Sequence, residues 1–91
     1  MASHSGLRPA RVGELAGAAE RAGFGAVFVA EGHGDALVLC HPVAAATGRV
    51  PVGTAVANAA LRPPVLAAKT AIQLDQAGRG RFILGWGSAT P

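Results

Sequence analysis

The sequence predicts a small α/β domain in which three parallel strands alternate with three helices. Stretches with apolar residues three and four positions apart, typical of helices, alternate with short, continuously apolar stretches rich in β-branched residues. The strand candidates are too apolar to leave one face in water, which favours parallel strands joined by right-handed crossovers. With 91 residues the chain has room for one domain.

The first helix is predicted over residues 9–22 and ends at Gly23. The first strand follows as the apolar run 26–30, between Gly25 and Gly32, and we expect both of its faces to be covered. Apolar side chains at helical spacing form the expected inward stripe of the helix: Val12, Leu15, Ala16, Ala19 and Ala22.

The second helix is predicted over residues 36–47, with Asp35 as its N-cap and Gly48 at its end. Pro42 falls well inside this helix, where it removes one hydrogen bond and predicts a kink. The second strand is predicted over residues 50–56.

Pro63 and Pro64 open the third predicted helix, which runs to about Gln76, and the third strand covers residues 81–86. Three strands leave two open edges, so we expect a second copy of the chain or a missing half of the fold to cover them. The side chains expected to face inward from the third helix are Val65, Ala68, Ile72 and Leu74.

Composition and charge argue against several function classes. The net charge is +3, but the eight basic residues are scattered singly, so no nucleic-acid surface is predicted. The sequence contains no apolar run of membrane-spanning length and no signal peptide, and we expect a cytoplasmic protein without membrane contact. Cys40 is the only cysteine and is expected to be a buried small hydrophobe; no metal site is predicted.

Polar or glycine-rich residues follow each predicted strand. In parallel α/β folds ligands bind at the carboxyl ends of the strands, where loops from different units converge. This convergence favours a binding site at that edge but does not identify the chemistry. The segments concerned are residues 31–35, 55–58 and 85–88.

The second and third strand ends carry a more specific pattern. Residues 53–56 (GTAV), then Asn58, Arg62 and Pro64, and finally residues 80–88 (GRFILGWGS) closely resemble the luciferase-like monooxygenase family. More narrowly, they resemble the branch that uses the 8-hydroxy-5-deazaflavin coenzyme. The earlier segments that agree with the family pattern are Ala19 and Glu20, Gly23 and Phe24, Glu31, Asp35, and residues 47–50 (TGRV).

The resemblance implies an eight-stranded TIM-type (β/α) barrel that binds deazaflavin or, alternatively, FMN at its carboxyl face. The implied activity is hydride transfer between this coenzyme and a small organic substrate. A complete barrel takes roughly 250 residues, so residues 10–91 would form a partial barrel, a fragment or incomplete subunit, behind a disordered segment 1–9. The alternative is a non-catalytic α/β remnant that forms oligomers through its open sheet edges.

The resemblance also implies coenzyme-binding positions. Ala55 and Val56 match a bulged strand end that often contains a non-proline cis peptide in the family. Asn58 matches a position where a side-chain amide bonds ring or ribityl oxygens, although a residue capping a turn would look the same. The fourth-strand turn that approaches the coenzyme is matched by Gly85, Gly87 and Ser88.

Two catalytic positions are implied as well. Glu31 occupies the family's acidic position at the end of the second barrel strand, where a carboxylate positions a proton or a coenzyme group. His33, two residues on, could move a proton at neutral pH. Three departures from the family pattern are Thr90, where an acidic residue is common, Pro42, within a helix usually free of proline, and Trp86, where a small aliphatic residue is usual.

Overall fold

The computed structural model describes residues 8–32 and 34–88, so His33, Thr90 and residues 1–7 of the predicted N-terminal segment lie outside the described residues. Helices and strands alternate in the predicted order. The helices are α1 (Pro9–Arg21), α2 (Ala36–Ala46) and α3 (Pro64–Ala77). The strands are β1 (Val27–Val29), β2 (Val52–Thr54), β3 (Ala57–Asn58), β4 (Phe82–Ile83) and β5 (Trp86–Gly87).

All strand pairs are parallel, as the alternation predicts. One sheet has the order β1, β2, β4, and its register places Gly53 opposite both Phe28 and Ile83. A second, two-stranded sheet pairs β3 with β5. The single strand predicted over residues 81–86 is therefore wrong in detail, because Leu84 and Gly85 separate β4 from β5.

Between β2 and β3 the chain changes the neighbour that it faces. The N–H of Ala55 donates to the carbonyl oxygen of Val29 in β1 at 2.9 Å, whereas the N–H of Ala57 donates to Gly85 at 2.7 Å. In a regular strand, residues two positions apart would face the same neighbour. The peptide between Ala55 and Val56 is cis. After this step the backbone of Asn58 is turned away from β5, toward the end of β1.

The core lies between the three helices and one face of the larger sheet. Val27, Val29 and Val52 point into this core. Phe28, between the two β1 valines, points to the other face and is 48% exposed. The expectation that both faces of the first strand are covered is therefore wrong for the described residues, because the helices pack on one face only. The buried residues of the core cluster are Ala16, Leu37, Cys40, Val43, Val52, Ala57, Ala67 and Leu74.

The open face of the sheet depends on Gly53. A Cβ atom built at Gly53 would collide with the carbonyl oxygen of Ile83 and would lie 3.0 Å from the Phe28 ring. Strands β2 and β4 can keep this register only because Gly53 has no side chain. Across the open face, the large side chains of Phe28 and Ile83 thus flank Gly53, which has none. Phe28 and Ile83 are each 48% exposed.

Glycines bring α1 against α2. A Cβ at Gly13 would lie 3.0 Å from the carbonyl oxygen of Pro42, and one at Gly17 would lie 3.2 Å from that of Ala46. The helices meet through these small residues, so Leu15, which the stripe placed inward, is 43% exposed. Ala22, also expected to face inward, is exposed. Pro42 lies within α2, which continues to Ala46.

The inward face of α3 also differs from the prediction. Leu74 is buried as expected, and Ala67, seven residues earlier, shares its face. The expected inward orientation is wrong for Val65, Ala68 and Ile72, which are exposed. The apolar residues of α3 surround the helix rather than forming one stripe, so their spacing alone does not identify the face that packs. No helix in the described part of the chain is long and apolar enough to cross a membrane.

A buried carboxylate closes the turn before β2. Glu20, 8% exposed, accepts hydrogen bonds from the backbone N–H groups of Gly48, Arg49 and Val50 at 2.7–3.1 Å. These bonds, led by those from Arg49 and Val50, lower the pKa of Glu20 below its ordinary value. The cluster ties the end of α1 to the amino end of the sheet.

Arg81, the residue before β4, fixes the same end of the sheet. Its guanidinium donates to carbonyl oxygens of four residues, including Val50 at 2.8 Å and Gly78 at 2.7 Å, and to the hydroxyl of Thr47 at 2.9 Å. Its remaining acceptors are the carbonyl oxygens of Ala44 and Thr47. The amino end of the sheet is thus closed by charged groups bonded mainly to backbone.

Candidate functional site

Glu31 joins three segments at the carboxyl end of the sheet. It follows β1 and is 9% exposed at its side chain. Its Oε1 accepts the N–H of Asn58 in β3, and its Oε2 accepts the N–H of Ala36 at the start of α2, both at 2.8 Å. One carboxylate therefore fixes β1, β3 and α2 relative to one another.

Arg62 is the cation that pairs with this carboxylate. Its Nη2 lies 2.8 Å from Oε1 of Glu31 and 3.1 Å from Oδ1 of Asp35, and its side chain is 8% exposed. Its Nη1 donates to the carbonyl oxygen of Asn58 at 3.3 Å. We term these four residues, Glu31, Asp35, Asn58 and Arg62, the strand-end network.

Asp35 does two things in this network. As predicted, it caps α2, because its Oδ1 accepts the N–H groups of Leu37 and Val38 at 2.9 and 3.3 Å. The same oxygen accepts a hydrogen bond from Arg62. The N-terminus of α2 is thereby tied to the residue that precedes α3 by two positions.

Opposing influences act on the Glu31 carboxyl. Burial raises its pKa, but hydrogen bonds from the N–H groups of Asn58 and Ala36, together with the Arg62 guanidinium, outweigh burial and lower the pKa. Glu31 is therefore ionised at neutral pH. A buried ion pair is tolerated only where further hydrogen bonds satisfy both partners, and this network supplies them.

Asn58 forms a turn, which is one of the two roles that its place in the sequence allowed. Its Oδ1 accepts the N–H of Ala60 at 2.9 Å, which forms an Asx turn. Its backbone N–H and carbonyl are bonded to Glu31 and Arg62. Within the described residues, the Nδ2 amide is the polar group of Asn58 that remains to donate to a ligand.

Gly85 is required because β2 comes close to the two-residue link between β4 and β5. A Cβ there would collide with the carbonyl oxygen of Thr54. The Thr54 hydroxyl donates to the Gly85 carbonyl at 2.8 Å and accepts the Gly85 N–H at 3.0 Å. This contact is thus sufficient to explain the glycine, and a role toward a coenzyme stays a prediction.

The end of β5 is more open. A Cβ at Gly87 would meet no atom of the described residues within 4 Å. Trp86 is 37% exposed, and Ser88, the next residue after β5, is exposed. The register places Asn58 opposite Gly87 and Ala57 opposite Trp86.

The structure therefore brings most of the predicted site residues together. Glu31 contacts Asn58 directly, Asn58 faces Gly87, and the cis peptide between Ala55 and Val56 lies just before β3. Sequence reasoning missed one member of the network, since it quoted Arg62 only as part of a motif. No local pattern marks Arg62, because its acidic partners Glu31 and Asp35 lie on the segment between β1 and α2, distant in sequence.

A cavity of about 520 Å³ opens beside the strand-end network, between the starts of α2 and α3. Its size is within the range of small-molecule sites. Both charged and apolar residues line it. It is lined by Glu31, Gly32, Gly34, Asp35, Leu37, Val38, Leu61, Arg62, Pro63, Leu66 and Thr70.

Cys40 has the structural role that the sequence predicts. It is fully buried in α2, and its Sγ donates to the carbonyl oxygen of Gly53 at 3.5 Å. Burial, with a smaller contribution from the charge of Asp35, raises the pKa of the thiol to about 12. Because the thiolate is the reactive form, Cys40 is not a nucleophile at neutral pH.

Comparisons with known proteins agree with the geometry. The model of one family, described as luciferase-like monooxygenase, matches residues 1–91. A protein of Mycobacterium tuberculosis that is named as a coenzyme F420-dependent oxidoreductase is 42% identical over 84 residues. The aligned part is 91% of this chain and 24% of that relative. The chain thus spans about a quarter of the length of the relative that it matches.

Proposed function

This chain belongs to the luciferase-like monooxygenase family, and we propose that it supplies the coenzyme-binding part of an oxidoreductase that transfers hydride to or from a small organic substrate. The coenzyme that we favour is the 8-hydroxy-5-deazaflavin, with FMN as the alternative. The name of the mycobacterial relative supports the first choice. In this proposal the chain forms part of an eight-stranded barrel, and the site lies at the carboxyl ends of its strands.

The observation that carries the proposal is the position of Asn58. Its Oδ1 accepts a hydrogen bond within a turn and its backbone is bonded on both sides, so the group of Asn58 without a partner among the described residues is its Nδ2 donor. Carbonyl oxygens on a flavin or deazaflavin ring are acceptors, which suits such a donor. Gly87 lies opposite Asn58, and the open space beside it leaves room for a ligand group next to the Asn58 side chain.

Each predicted site residue in the described part of the chain has a role that its position allows. We assign Asn58 and Ser88 to hydrogen bonds with the coenzyme, and Gly87 to close approach of the backbone. Glu31, ionised and bonded to Asn58, is assigned the positioning of a proton or a coenzyme group. His33 is assigned the movement of a proton. The remaining predicted positions are Gly85 and the Ala55–Val56 peptide. We assign them to the backbone that supports the bound coenzyme. The coenzyme, when bound, accepts or supplies the hydride.

A fluorescence titration tests the proposal. Trp86 is the only tryptophan and lies at the end of the proposed site, so a bound coenzyme should quench its emission. We expect saturable quenching by the deazaflavin in the purified protein, with FMN titrated separately to compare the two coenzymes. If neither coenzyme quenches the emission of a protein that circular dichroism shows to be folded, the proposed function is contradicted.

One observation favours a second candidate, a non-catalytic remnant that forms homo-oligomers. The face of the sheet that carries Phe28 and Ile83 is half exposed, and apolar surface of this kind is typical of protein contacts. Sedimentation of the sample used for the titration separates the two candidates. A stable oligomer without coenzyme affinity supports the remnant, whereas coenzyme binding supports the oxidoreductase.

A further inference from the structure

The backbone of Asn58 is held on the edge of β3 that faces away from β5. Its N–H donates to Oε1 of Glu31 at 2.8 Å, and its carbonyl oxygen accepts from the N–H of Leu61 at 3.1 Å and from Nη1 of Arg62 at 3.3 Å. Within the described residues, β3 pairs with a strand only on its other edge. The Glu31–Arg62 ion pair thus presents an acceptor and a donor where a neighbouring strand would present its own.

Arg62 is fixed strongly enough to hold this geometry. Its guanidinium has three acceptors, namely Oε1 of Glu31, Oδ1 of Asp35 and the Asn58 carbonyl, and its side chain is 8% exposed. A planar guanidinium bonded to several acceptors loses little additional freedom for each bond.

We propose that Arg62 is a positioning residue: together with Glu31 it brackets the Asn58 backbone, so that the Asn58 Nδ2 amide is presented as a hydrogen-bond donor to a carbonyl oxygen of the coenzyme. The identity of the acceptor rests on the proposed function. The bracketing itself rests on the hydrogen bonds of this chain alone. Arg62 acts through Asn58 and does not need to touch the coenzyme.

The contrast with Arg81 supports this assignment. Arg81 also has several acceptors, but they belong to turns and helix ends at the amino end of the sheet. The acceptors of Arg62 instead belong to two predicted site residues, Glu31 and Asn58, and to Asp35, the N-cap of α2. One arginine therefore contacts both a predicted catalytic position and a predicted coenzyme-binding position.

Selective isotope labelling gives a direct test. Asn58 is the only asparagine in the sequence, so protein labelled with ¹⁵N-asparagine should give one backbone amide signal and one side-chain NH₂ pair. The variants are Arg62→Met, which removes both the charge and the planar guanidinium with its several donors, and Arg62→Lys, which keeps the charge. Arg11→Met is the matched control, because Arg11 forms an exposed ion pair with Glu14 on α1. Coenzyme affinity is measured on the same samples.

In Arg62→Met we expect both Asn58 signals to shift, with the NH₂ pair moving toward the values of a free amide. Coenzyme affinity should fall on the order of tenfold, consistent with the loss of one well-placed hydrogen bond. Arg62→Lys should recover part of both effects, and Arg11→Met should change neither.

Asn58 signals at wild-type positions in folded Arg62→Met would overturn the proposal, whatever the coenzyme affinity. If Arg62→Met does not fold, unchanged signals in Arg62→Lys would overturn it in the same way. A wild-type protein that binds no coenzyme would count against the proposed function only, since the labelled amide still reports whether Arg62 holds Asn58.

Discussion

Glu20 and Glu31 are both buried carboxylates that accept backbone N–H groups from distant parts of the chain, but they lie at opposite ends of the sheet. Glu20 accepts three consecutive N–H groups of one turn. Glu31 accepts N–H groups from two separate elements and pairs with Arg62. The first arrangement closes a loop, whereas the second organises several segments around one residue.

This difference matches a general division in βα folds. Residues at the amino ends of the strands contribute to stability, and residues at the carboxyl ends build sites. Burial, ionisation and backbone hydrogen bonds are shared by Glu20 and Glu31, so none of these features identifies a site by itself. What distinguishes Glu31 is that its partners include Asn58, a predicted ligand-binding residue.

The largest effect that we expect comes from breaking the ion pair at the carboxyl end. Arg62→Met leaves the buried Glu31 carboxylate without its cation and should destabilise the protein by about 3 kcal/mol. Urea denaturation measures this loss. The double variant Glu31→Gln with Arg62→Met should recover part of the loss, because no unpaired charge remains. Equal destabilisation in the single and double variants would show that the charge pair is not what matters.

Coenzyme binding should separate the two ends of the sheet more cleanly. Asn58→Ala and Ser88→Ala should each weaken coenzyme binding by about 1–2 kcal/mol, the usual cost of losing a hydrogen-bond partner. Asn58→Asp keeps the oxygen that forms the turn but removes the NH₂ donor, so it should lose affinity with the turn retained. Isothermal titration calorimetry gives the affinities. Unchanged binding in Asn58→Ala and Ser88→Ala would refute this site.

For Glu20 we expect the reverse, a change in stability without a change in affinity. Its pKa is lowered in the folded protein from an ordinary value of 4.5. The stability that it contributes is therefore complete above about pH 4.5 and is lost as the pH falls through the lower folded pKa.

Thermal unfolding between pH 7 and pH 3 tests this expectation. Glu20→Gln should have a lower Tm than the wild type at pH 7, and the difference should shrink as the pH falls. Coenzyme affinity at pH 7 should stay at the wild-type value. A loss of affinity in Glu20→Gln that matches that of Asn58→Ala would remove the distinction between the two ends.

The smallest effect concerns Cys40, which lies between the two ends. Because burial raises the pKa of its thiol to about 12, a disulfide reagent at pH 8 should leave the native protein unmodified. Labelling should appear only when the protein opens, and it should be faster in Arg62→Met than in the wild type. Rapid labelling of the native wild type would show that the core around α2 is more accessible than the structure indicates.

The order of elements and the parallel sheet were predictable because they depend on local patterns. Alternating apolar stretches, the Asp35 cap and the glycine that ends α1 each act within a few residues, and the structure has all three. The faces of the helices were not predictable in this way. Gly13 and Gly17 bring α1 onto α2. A pattern based on apolar side chains does not detect a contact face formed by glycines.

For the site, the sequence predicted a location better than it predicted an arrangement. The resemblance pointed to Glu31 and Asn58, and the structure shows them bonded to each other. It gave no role to Arg62, whose partners lie on two other segments and meet it only in the folded chain. Long-range ion pairs of this kind leave no local pattern, so they emerge only from the tertiary structure.

The contact at Gly53 has a consequence for how this sequence can change over generations. A methyl group there would run into the Ile83 carbonyl oxygen, so selection for folding alone should preserve this glycine. A lineage that no longer bound a coenzyme could exchange Asn58 and still keep Gly53. Among descendants of this fold, Gly53 would be kept by folding alone, whereas retention of Asn58 would record that the site is still in use.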